Sequence, residues 1–279
     1  MQPRSQSSVA VSADGDWWYL LNASADVRSQ IGSSEFLWPQ AGSHRGTSIA
    51  GCILTDAEID HASGLLQLRE GCKFGIFSTP RVKRWLHDSF PIGSILAGFA
   101  DRPWSELTIG EWLELPLPDG TSSGLRVRSF EVGRDVPRFV DENPDDAVGS
   151  VIGLQIEDSS GHTLVYAPGV ATICDKLRSA CEDAECILVD GTFWSDDEPI
   201  RTRIKDSTAT GMGHIPVSGE YGTLQWLSEL PARHRVYVHI NNTNPMLNER
   251  GPQHAEVTRR GVRIGMDGDA FDLNTGENL

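Results

Sequence analysis

The sequence has no apolar run of about 18 residues, the length that a membrane-spanning helix needs. The segment from Met1 to Ser8 is polar and lacks the apolar core of a secretion signal. Long low-complexity tracts are also lacking, which argues against a disordered chain. We therefore expect a folded, cytoplasmic protein with no membrane partner.

Cysteine is scarce, with five residues in the chain and no Cys-x-x-Cys motif. An odd number without paired spacing argues against a disulfide framework and against a thiolate zinc site. Cys52 and Cys186 lie in apolar runs, so we predict that both are core residues.

Basic residues are in short supply, because 24 Lys and Arg stand against 39 Asp and Glu, for a formal charge of -15. An acidic chain repels phosphate backbones, so we predict no nucleic-acid partner. Metal cations and neutral or basic substrates fit this charge better, although the acidity can also serve solubility alone.

The 279 residues are 39% apolar, enough to bury a substantial core. The pattern alternates hairpins with strand–helix units, which predicts one α/β domain over residues 1–279 with mixed sheets covered by helices. Residues 133–150 are rich in charge and proline and are expected to form a surface loop or lid. Strands are predicted at 8–13, 17–21, 50–54, 74–78, 152–158, 163–167, 186–190, 235–240 and 262–266, with short β segments in 103–132. Helices are predicted at 25–30, from Ala62 onward, and at 80–89, 175–180, 224–230 and 254–260.

Three of the apolar strands end in ionisable residues. The first runs into the cluster Asp56–His61, the second ends in Asp190, and the third ends in His239. Ligand sites of α/β sheets gather at strand ends, where the loops converge. Carboxylates together with imidazoles at one sheet edge suit a divalent metal, and this is the site that we predict.

Each of these residues also has a structural interpretation. Asp60 and His61 lie at a tight strand-to-helix turn, where they can reach one ion together or act as helix caps. His239 is followed by an Asn-rich segment with Asn241 and Asn242, which makes either a polar pocket or an ordinary turn beside a core histidine.

Two further residues are candidates for proton chemistry. Asp190 can be a ligand, a carboxylate behind the ligands, a proton shuttle or an N-cap. His214 lies in a glycine-flanked segment, which suits an exposed functional imidazole and equally a loop residue without a role. The histidines expected to be solvated are His44, His87, His162, His234 and His254.

The segment Thr55–His61 (TDAEIDH) resembles a known pattern. Metallo-β-lactamase-fold enzymes carry His-x-His-x-Asp-His at this turn; here Asp56 and Glu58 replace the first two histidines, while Asp60 and His61 match. From Arg4 to Leu273 the chain is similar to the coenzyme PQQ synthesis protein B family. The segments that carry the resemblance are 22–24, 55–61, 68–72, 164–169, 189–194, 212–214 and 239–245.

The resemblance implies an αββα sandwich with two mixed β-sheets and the site at one sheet edge. The position of the usual bridging aspartate falls at about Gly169, so the resemblance implies no paired-metal site. It leaves Asp60, His61 and His239, two histidines and one carboxylate, as in the facial triad of non-haem Fe(II) oxygenases. Further candidate ligands are Asp56, Glu58, Asn241 and Asn242.

The resemblance also implies a function: an Fe(II)- and O₂-dependent hydroxylase acting on a tyrosine- or amino-acid-derived intermediate of PQQ or related peptide-derived biosynthesis. Zn(II) is the alternative occupant, and Asp190 and His214 take the place of a catalytic proton-handling pair. The first strand and the Cys-rich, zinc-binding N-terminus of the family are not expected before Arg4. A metal-dependent hydrolase and a non-catalytic carrier or partner protein are the alternatives, and a homo-oligomer stays open.

Overall fold

The computed structural model describes residues 3–39, 46–70, 73–99 and 102–277. The chain forms two compact units. The N-unit comprises Ser5–Ser129 and Val136–Val151, and the C-unit comprises Phe130–Asp135 and Ile152–Leu279 together with the N-terminal end up to Arg4. Whether the two units behave as the single predicted domain stays a prediction.

The N-unit contains a mixed five-stranded sheet with strand order β1-β2-β3-β4-β5. Its strands are β1 (Val9–Val11), β2 (Trp18–Leu21), β3 (Ile49–Ile53), β4 (Gly75–Ser78) and β5 (Trp104–Glu106). The first pair is the predicted antiparallel hairpin, and the remaining neighbours are parallel. Its helices are α1 (Val27–Ser33), α2 (Ile59–Ala62), α3 (Pro80–Asp88) and α4 (Ile92–Ala97), with 3₁₀ turns at Glu35–Leu37, Ser63–Leu68 and Pro144–Asp146.

Apolar runs explain the core of the N-unit. Every residue of β3 is buried, as expected for a parallel strand covered on both faces. Helix α3 starts where Pro80 supplies a preset φ angle and the Thr79 hydroxyl accepts a hydrogen bond from the backbone N–H of Val82. This start directs Trp85 and Leu86 into the same apolar cluster as β3.

The second sheet has strand order β12-β11-β10-β9-β8-β7-β6. Its strands are β6 (Trp112–Pro116), β7 (Ser122–Gly133), β8 (Val151–Asp158), β9 (Thr163–Ala167), β10 (Cys186–Asp190), β11 (His234–Val238) and β12 (Arg263–Ile264). The C-unit helices are α5 (Asp175–Glu182), α6 (Glu198–Arg201), α7 (Thr223–Glu229) and α8 (Pro252–Arg259), with 3₁₀ turns at Thr210–Met212 and Pro245–Leu247. Because β9, β10 and β11 run parallel, Asp190 and the residue after Val238 emerge at the same end.

The structure corrects four of the local predictions. Helix α2 begins at Ile59 with Glu58 as its N-cap, so Asp60 and His61 lie inside the helix and are not its caps. Strand β11 ends at Val238, so His239 follows the strand instead of closing it. Short β segments were predicted where β7 is one 12-residue strand. His234, expected to be solvated, is buried as the first residue of β11.

Other predictions are confirmed, or concern residues that the structure does not describe. Cys52 and Cys186 are buried and free of disulfides, as predicted. Residues 134–150 carry only a 3₁₀ turn, but Phe139 and Val140 pack against the N-unit core, so this segment is anchored at these points. His44 and Cys72 lie outside the described residues. Among the described residues, no helix combines the length and the hydropathy needed to cross a bilayer.

Candidate metal centre

In the N-unit, a direct carboxylate–imidazole contact orients His61. The loop after β3 carries Asp56, whose two carboxylate oxygens lie 2.8 and 2.9 Å from His61 Nδ1, and both side chains are buried. An ionised carboxylate only accepts hydrogen bonds, so Nδ1 carries the proton. The lone pair of the imidazole is then on Nε2, which is the arrangement found in metal-ligating histidines.

Asp56 is held as an anion in spite of its burial. Burial alone would raise the pKa of this carboxyl, but the charge of His61 and its hydrogen bond lower it, and so do the bonds from Thr55 and Glu58; the net pKa lies below its ordinary value. The Thr55 hydroxyl donates to Asp56 Oδ2 at 2.7 Å, and the Glu58 backbone N–H donates to Oδ1 at 2.9 Å. Because both oxygens are engaged in this way, the contacts favour an orienting role for Asp56 over a ligand role.

The turn that carries His61 is bonded to the loop after β2. The backbone N–H of Ala23 donates to the His61 carbonyl at 2.7 Å, and that of Gly64 donates to the Ala23 carbonyl at 2.9 Å. Asn22, with φ 61°, accepts the Thr55 backbone N–H through its side chain. Gly64 permits this approach, because a Cβ there would overlap the Ser24 carbonyl oxygen.

Asp60 is the third predicted residue of this turn. It lies between Ile59 and His61 in α2 and is partly buried, whereas Glu58 is exposed. Asp60 and His61 belong to the N-unit and His239 to the C-unit. Their joint ligation of one ion stays a prediction, as does ligation by Glu58.

In the C-unit, Asp190 is a fully buried carboxylate with four donors. It is the last residue of β10 and accepts from the backbone N–H of Val170 and of Thr192, each at 3.0 Å. The Thr192 hydroxyl lies 2.5 Å from Oδ1, and His214 Nδ1 lies 2.6 Å from Oδ2. Burial would raise the pKa of this carboxyl, but the charge and hydrogen bond of His214, joined by His239, hold it well below its usual range.

His239 lies beside this carboxylate without touching it directly. Its Nδ1 lies 2.8 Å from the Thr192 hydroxyl and 3.9 Å from Asp190 Oδ1. Its backbone adopts φ 52°, a left-handed conformation that is unusual for a non-glycine residue. The His214 and His239 rings stack with centroids 5.4 Å apart. Potential ligand atoms of Asp190, His214 and His239 lie within 4.8 Å of one another.

The Asn-rich segment after His239 acts mainly through its backbone and through Asn244. The Asn241 N–H donates to the Thr192 carbonyl at 3.1 Å, and Asn244 Nδ2 donates to the Gly191 carbonyl at 2.9 Å. These bonds join the loop after β11 to the loop after β10. Asn241 is partly buried and Asn242 is exposed; their service as ligands stays a prediction.

Sequence reasoning missed two residues of this centre. Thr192 touches Asp190, His214 and His239 through one hydroxyl. Glu198 is fully buried, and its carboxylate accepts from the Trp194 backbone N–H at 2.6 Å and from the Thr243 hydroxyl at 2.7 Å.

Neither residue has a strong signal in the sequence. Thr192 lies inside the family-like segment 189–194, which was its only signal. Glu198 sits in the acidic run 196–198, which is typical of a solvated turn.

Three further histidines have simple structural contacts. His87 and His254 are partly buried, and each places Nδ1 within hydrogen-bonding distance of a backbone carbonyl, that of Lys83 and that of Met246 respectively. His162 Nδ1 lies 3.1 Å from its neighbour Asp158 in the β8–β9 hairpin. None of these contacts resembles the buried networks of His61 and His239.

Comparison with known proteins identifies the class. A family model described as a beta-lactamase superfamily domain matches residues 17–240. A diphosphatase of the PhnP family shares the fold at 15% identity, with a TM-score of 0.59 over 98% of this chain and 83% of that one. The chain is therefore a member of the beta-lactamase superfamily, and the predicted α/β class with two mixed sheets is confirmed.

More similar proteins narrow the assignment. Coenzyme PQQ synthesis protein B of Ectopseudomonas mendocina (strain ymp) is 38% identical over 98% of this chain and 89% of its own length; that of Azotobacter vinelandii is 40% identical over 97% and 88%. The crystal structure of Zn²⁺-bound PqqB from Methylobacterium extorquens superposes with a TM-score of 0.85 at 35% identity, covering 100% of this chain and 88% of that one. The chain belongs to the coenzyme PQQ synthesis protein B family.

Proposed function

We propose that this protein is a metal-dependent enzyme of PQQ or related peptide-derived biosynthesis, and that it hydroxylates a tyrosine- or amino-acid-derived intermediate with Fe(II) and O₂. One observation carries the proposal. Both candidate histidine ligands, His61 and His239, engage Nδ1 inside the protein, with Asp56 and Thr192 respectively. Each is therefore prepared to offer Nε2 to a metal.

The donor set fits a metal of this kind. Asp60, His61 and His239 would hold it, and two imidazoles with one carboxylate are the ligands of Fe(II) sites that keep positions open for substrates. When bound, Fe(II) would supply the one-electron redox chemistry that a reaction with O₂ requires. Imidazole and carboxylate groups are also zinc ligands in proteins. The PqqB relative from Methylobacterium extorquens is zinc-bound in its crystal structure.

Asp190 and His214 would handle protons beside this metal. With Nδ1–H of His214 bonded to Asp190 at 2.6 Å, its Nε2 can take up a proton and later return it. The adjacent carboxylate stabilises the charged imidazolium that results. His214 is partly exposed, so its ring can exchange protons with a bound substrate.

A metal-dependent hydrolase is the second candidate, and the zinc in the solved relative is the observation that favours it. A zinc site with an open position generates a hydroxide nucleophile near neutral pH. In that case His214 would serve as the general acid for the leaving group. The two candidates therefore differ in metal and in oxygen use while they share the residues.

Metal analysis of protein purified without oxygen tests the proposal. We expect about one iron per wild-type chain, as a single facial triad requires, and its loss in His61→Ala and in His239→Ala. His162→Ala is the matched control and should retain iron. Circular dichroism checks that the variants fold. Oxygen uptake with tyrosine-containing peptides should then follow iron occupancy.

Two outcomes would contradict this assignment. Full metal occupancy in both histidine variants would exclude His61 and His239 as ligands. Zinc alone, with hydrolysis of an ester or amide probe and no oxygen uptake after iron loading, would establish the hydrolase instead.

A further inference from the structure

The hydroxyl of Thr192 lies at the centre of the C-unit network. Its Oγ1 is 2.5 Å from Asp190 Oδ1 and 2.8 Å from His239 Nδ1. It is also 2.9 Å from the His239 carbonyl oxygen and 3.2 Å from His214 Nδ1. A threonine hydroxyl has one proton to donate and two lone pairs to accept with, so these four contacts cannot all be made by donation.

The direction of each hydrogen bond follows from the number of protons that the groups carry. Asp190 is an acceptor only, and the short Oγ1–Oδ1 contact would place two oxygens against each other unless the Thr192 proton lies between them. A second oxygen within reach of the hydroxyl, the His239 carbonyl, is also an acceptor. Whichever oxygen receives the proton, Thr192 can only accept from His239 Nδ1.

His214 does not alter this count. Its Nδ1 lies 2.6 Å from Asp190 Oδ2, a shorter contact than the 3.2 Å to Thr192, so its proton is directed to the carboxylate. His239 Nδ1 is too far from Asp190, at 3.9 Å, for a direct bond. Thr192 therefore stands between the buried carboxylate and the His239 ring.

We infer that Thr192 is a positioning residue: its hydroxyl, directed by Asp190, fixes His239 in the tautomer that carries the proton on Nδ1 and the lone pair on Nε2. This inference rests on the proposed function, in which His239 binds the metal. Asp190, Thr192 and His239 then resemble the carboxylate–histidine–metal arrangement, with a hydroxyl inserted between the carboxylate and the histidine.

The backbone holds both partners in place for this role. The Thr192 N–H donates to Asp190 at 3.0 Å, and the Thr192 carbonyl accepts from Asn241 at 3.1 Å. Thr192 is thus bonded on the side of β10 and on the side of the loop that follows His239. These backbone bonds fix the main chain of Thr192, and a rotation of its side chain away from the imidazole would break the Oγ1 contacts to Asp190 and His239.

Two matched variants test the inference. Thr192→Val removes the hydroxyl and keeps the shape, whereas Thr192→Ser keeps the hydroxyl. With Zn²⁺ alone as the probe, measured by competition with a chelating dye, we expect Thr192→Val to bind about 10- to 100-fold more weakly. Thr192→Ser should bind like the wild type.

A spectroscopic signature separates positioning from a general loss of structure. In metal-free protein, nitrogen-15 NMR should show His239 as the Nδ1–H tautomer in the wild type and in Thr192→Ser. Thr192→Val should show a mixture of both tautomers with an otherwise unchanged spectrum. If Thr192→Val does not fold, Thr192→Ala is measured in its place.

Unchanged zinc affinity together with an unchanged His239 tautomer in Thr192→Val would overturn the inference. So would a Thr192→Ser variant as weak as Thr192→Val. His239→Ala, measured in parallel, separates failure of the proposed function from failure of this inference. If the zinc affinity of that variant equals that of the wild type, His239 is not a metal ligand. The NMR result then still decides the role of Thr192.

Discussion

The two candidate histidine ligands are oriented by the same two chemical groups, a carboxylate and a hydroxyl, in opposite order. In the N-unit the Asp56 carboxylate touches the His61 ring, and the Thr55 hydroxyl lies behind it. In the C-unit the Thr192 hydroxyl touches the His239 ring, and a carboxylate lies behind it. Both orders place the proton on Nδ1, but a charge-assisted bond is roughly twice as strong as a neutral one.

The backbone also differs between the two. His61 lies in a helix. The left-handed residue of its network is Asn22, whose side chain accepts a hydrogen bond from the Thr55 backbone N–H. In the network of His239 the left-handed residue is His239 itself, with φ 52°. Residues in this conformation persist only where their surroundings hold them, so His239 depends more on its loop contacts than His61 does.

Removal of the carboxylate that touches His61 should cost the protein the most stability. Asp56→Ala leaves the buried His61, Thr55 hydroxyl and Glu58 N–H without their shared acceptor. We expect the free energy of unfolding to fall by about 3–5 kcal/mol, with loss of bound metal. Urea unfolding and metal analysis check this. Asp56→Asn is the matched variant, and a result equal to Asp56→Ala would show that the charge, not merely an acceptor, is required.

The close packing around Gly64 allows a steric test that is confined to the N-unit. In Gly64→Ala the new methyl group would lie 2.7 Å from the Ala23 carbonyl oxygen and would overlap that of Ser24. Both obstacles are backbone atoms, so we expect a loss of about 3 kcal/mol in the free energy of unfolding. Gly15→Ala is the control, because its surroundings are open, although its positive φ brings a small cost of its own. Equal stability of Gly64→Ala and wild type would disprove the close approach.

Glu198 offers the corresponding test in the C-unit. Glu198→Gln keeps the size but cannot accept at both the Trp194 N–H and the Thr243 hydroxyl as the carboxylate does. We expect a loss of about 2 kcal/mol in unfolding free energy and weaker metal binding through displacement of the loop after His239. Thermal unfolding and zinc competition measure the two effects. Glu229→Gln, at the end of α7, is the control.

The hydroxyl of Thr55 allows the most direct test of the difference between the two networks. Thr55→Val removes the hydroxyl behind Asp56, while Asp56 stays bonded to His61. We expect about 1 kcal/mol of destabilisation and nearly unchanged zinc affinity, in contrast to Thr192→Val. If both valine variants weaken zinc binding equally, the difference in order between the two networks has no functional consequence.

How far the sequence predicts this structure depends on the kind of signal. The apolar runs of β3, β10 and β11 identified three central strands, because a buried strand requires such a run. The ionisable residues at their ends were found for the same reason. The strand ends were predicted less accurately: the strand predicted over 235–240 ends at Val238, so His239 follows it.

Contacts between side chains that lie far apart in the sequence leave no pattern comparable to an apolar run. Glu198 looks like part of a solvated acidic turn, yet it is fully buried and accepts hydrogen bonds from Trp194 and from the distant Thr243. Thr192 is a small polar residue after a strand, and its role depends on three partners 2, 22 and 47 positions away. The left-handed backbone of His239 likewise has no sequence signal, because histidine adopts that conformation more often than most residues but still only in a minority of cases.

The contacts of Asp56 limit how this turn can be redesigned. Both carboxylate oxygens accept hydrogen bonds from His61, Thr55 and Glu58. Asp56→His would supply the histidine that the motif of the wider fold carries at this position, and would at once deprive these three groups of their acceptor. Installing that motif here therefore requires coordinated changes at several sites, not one substitution.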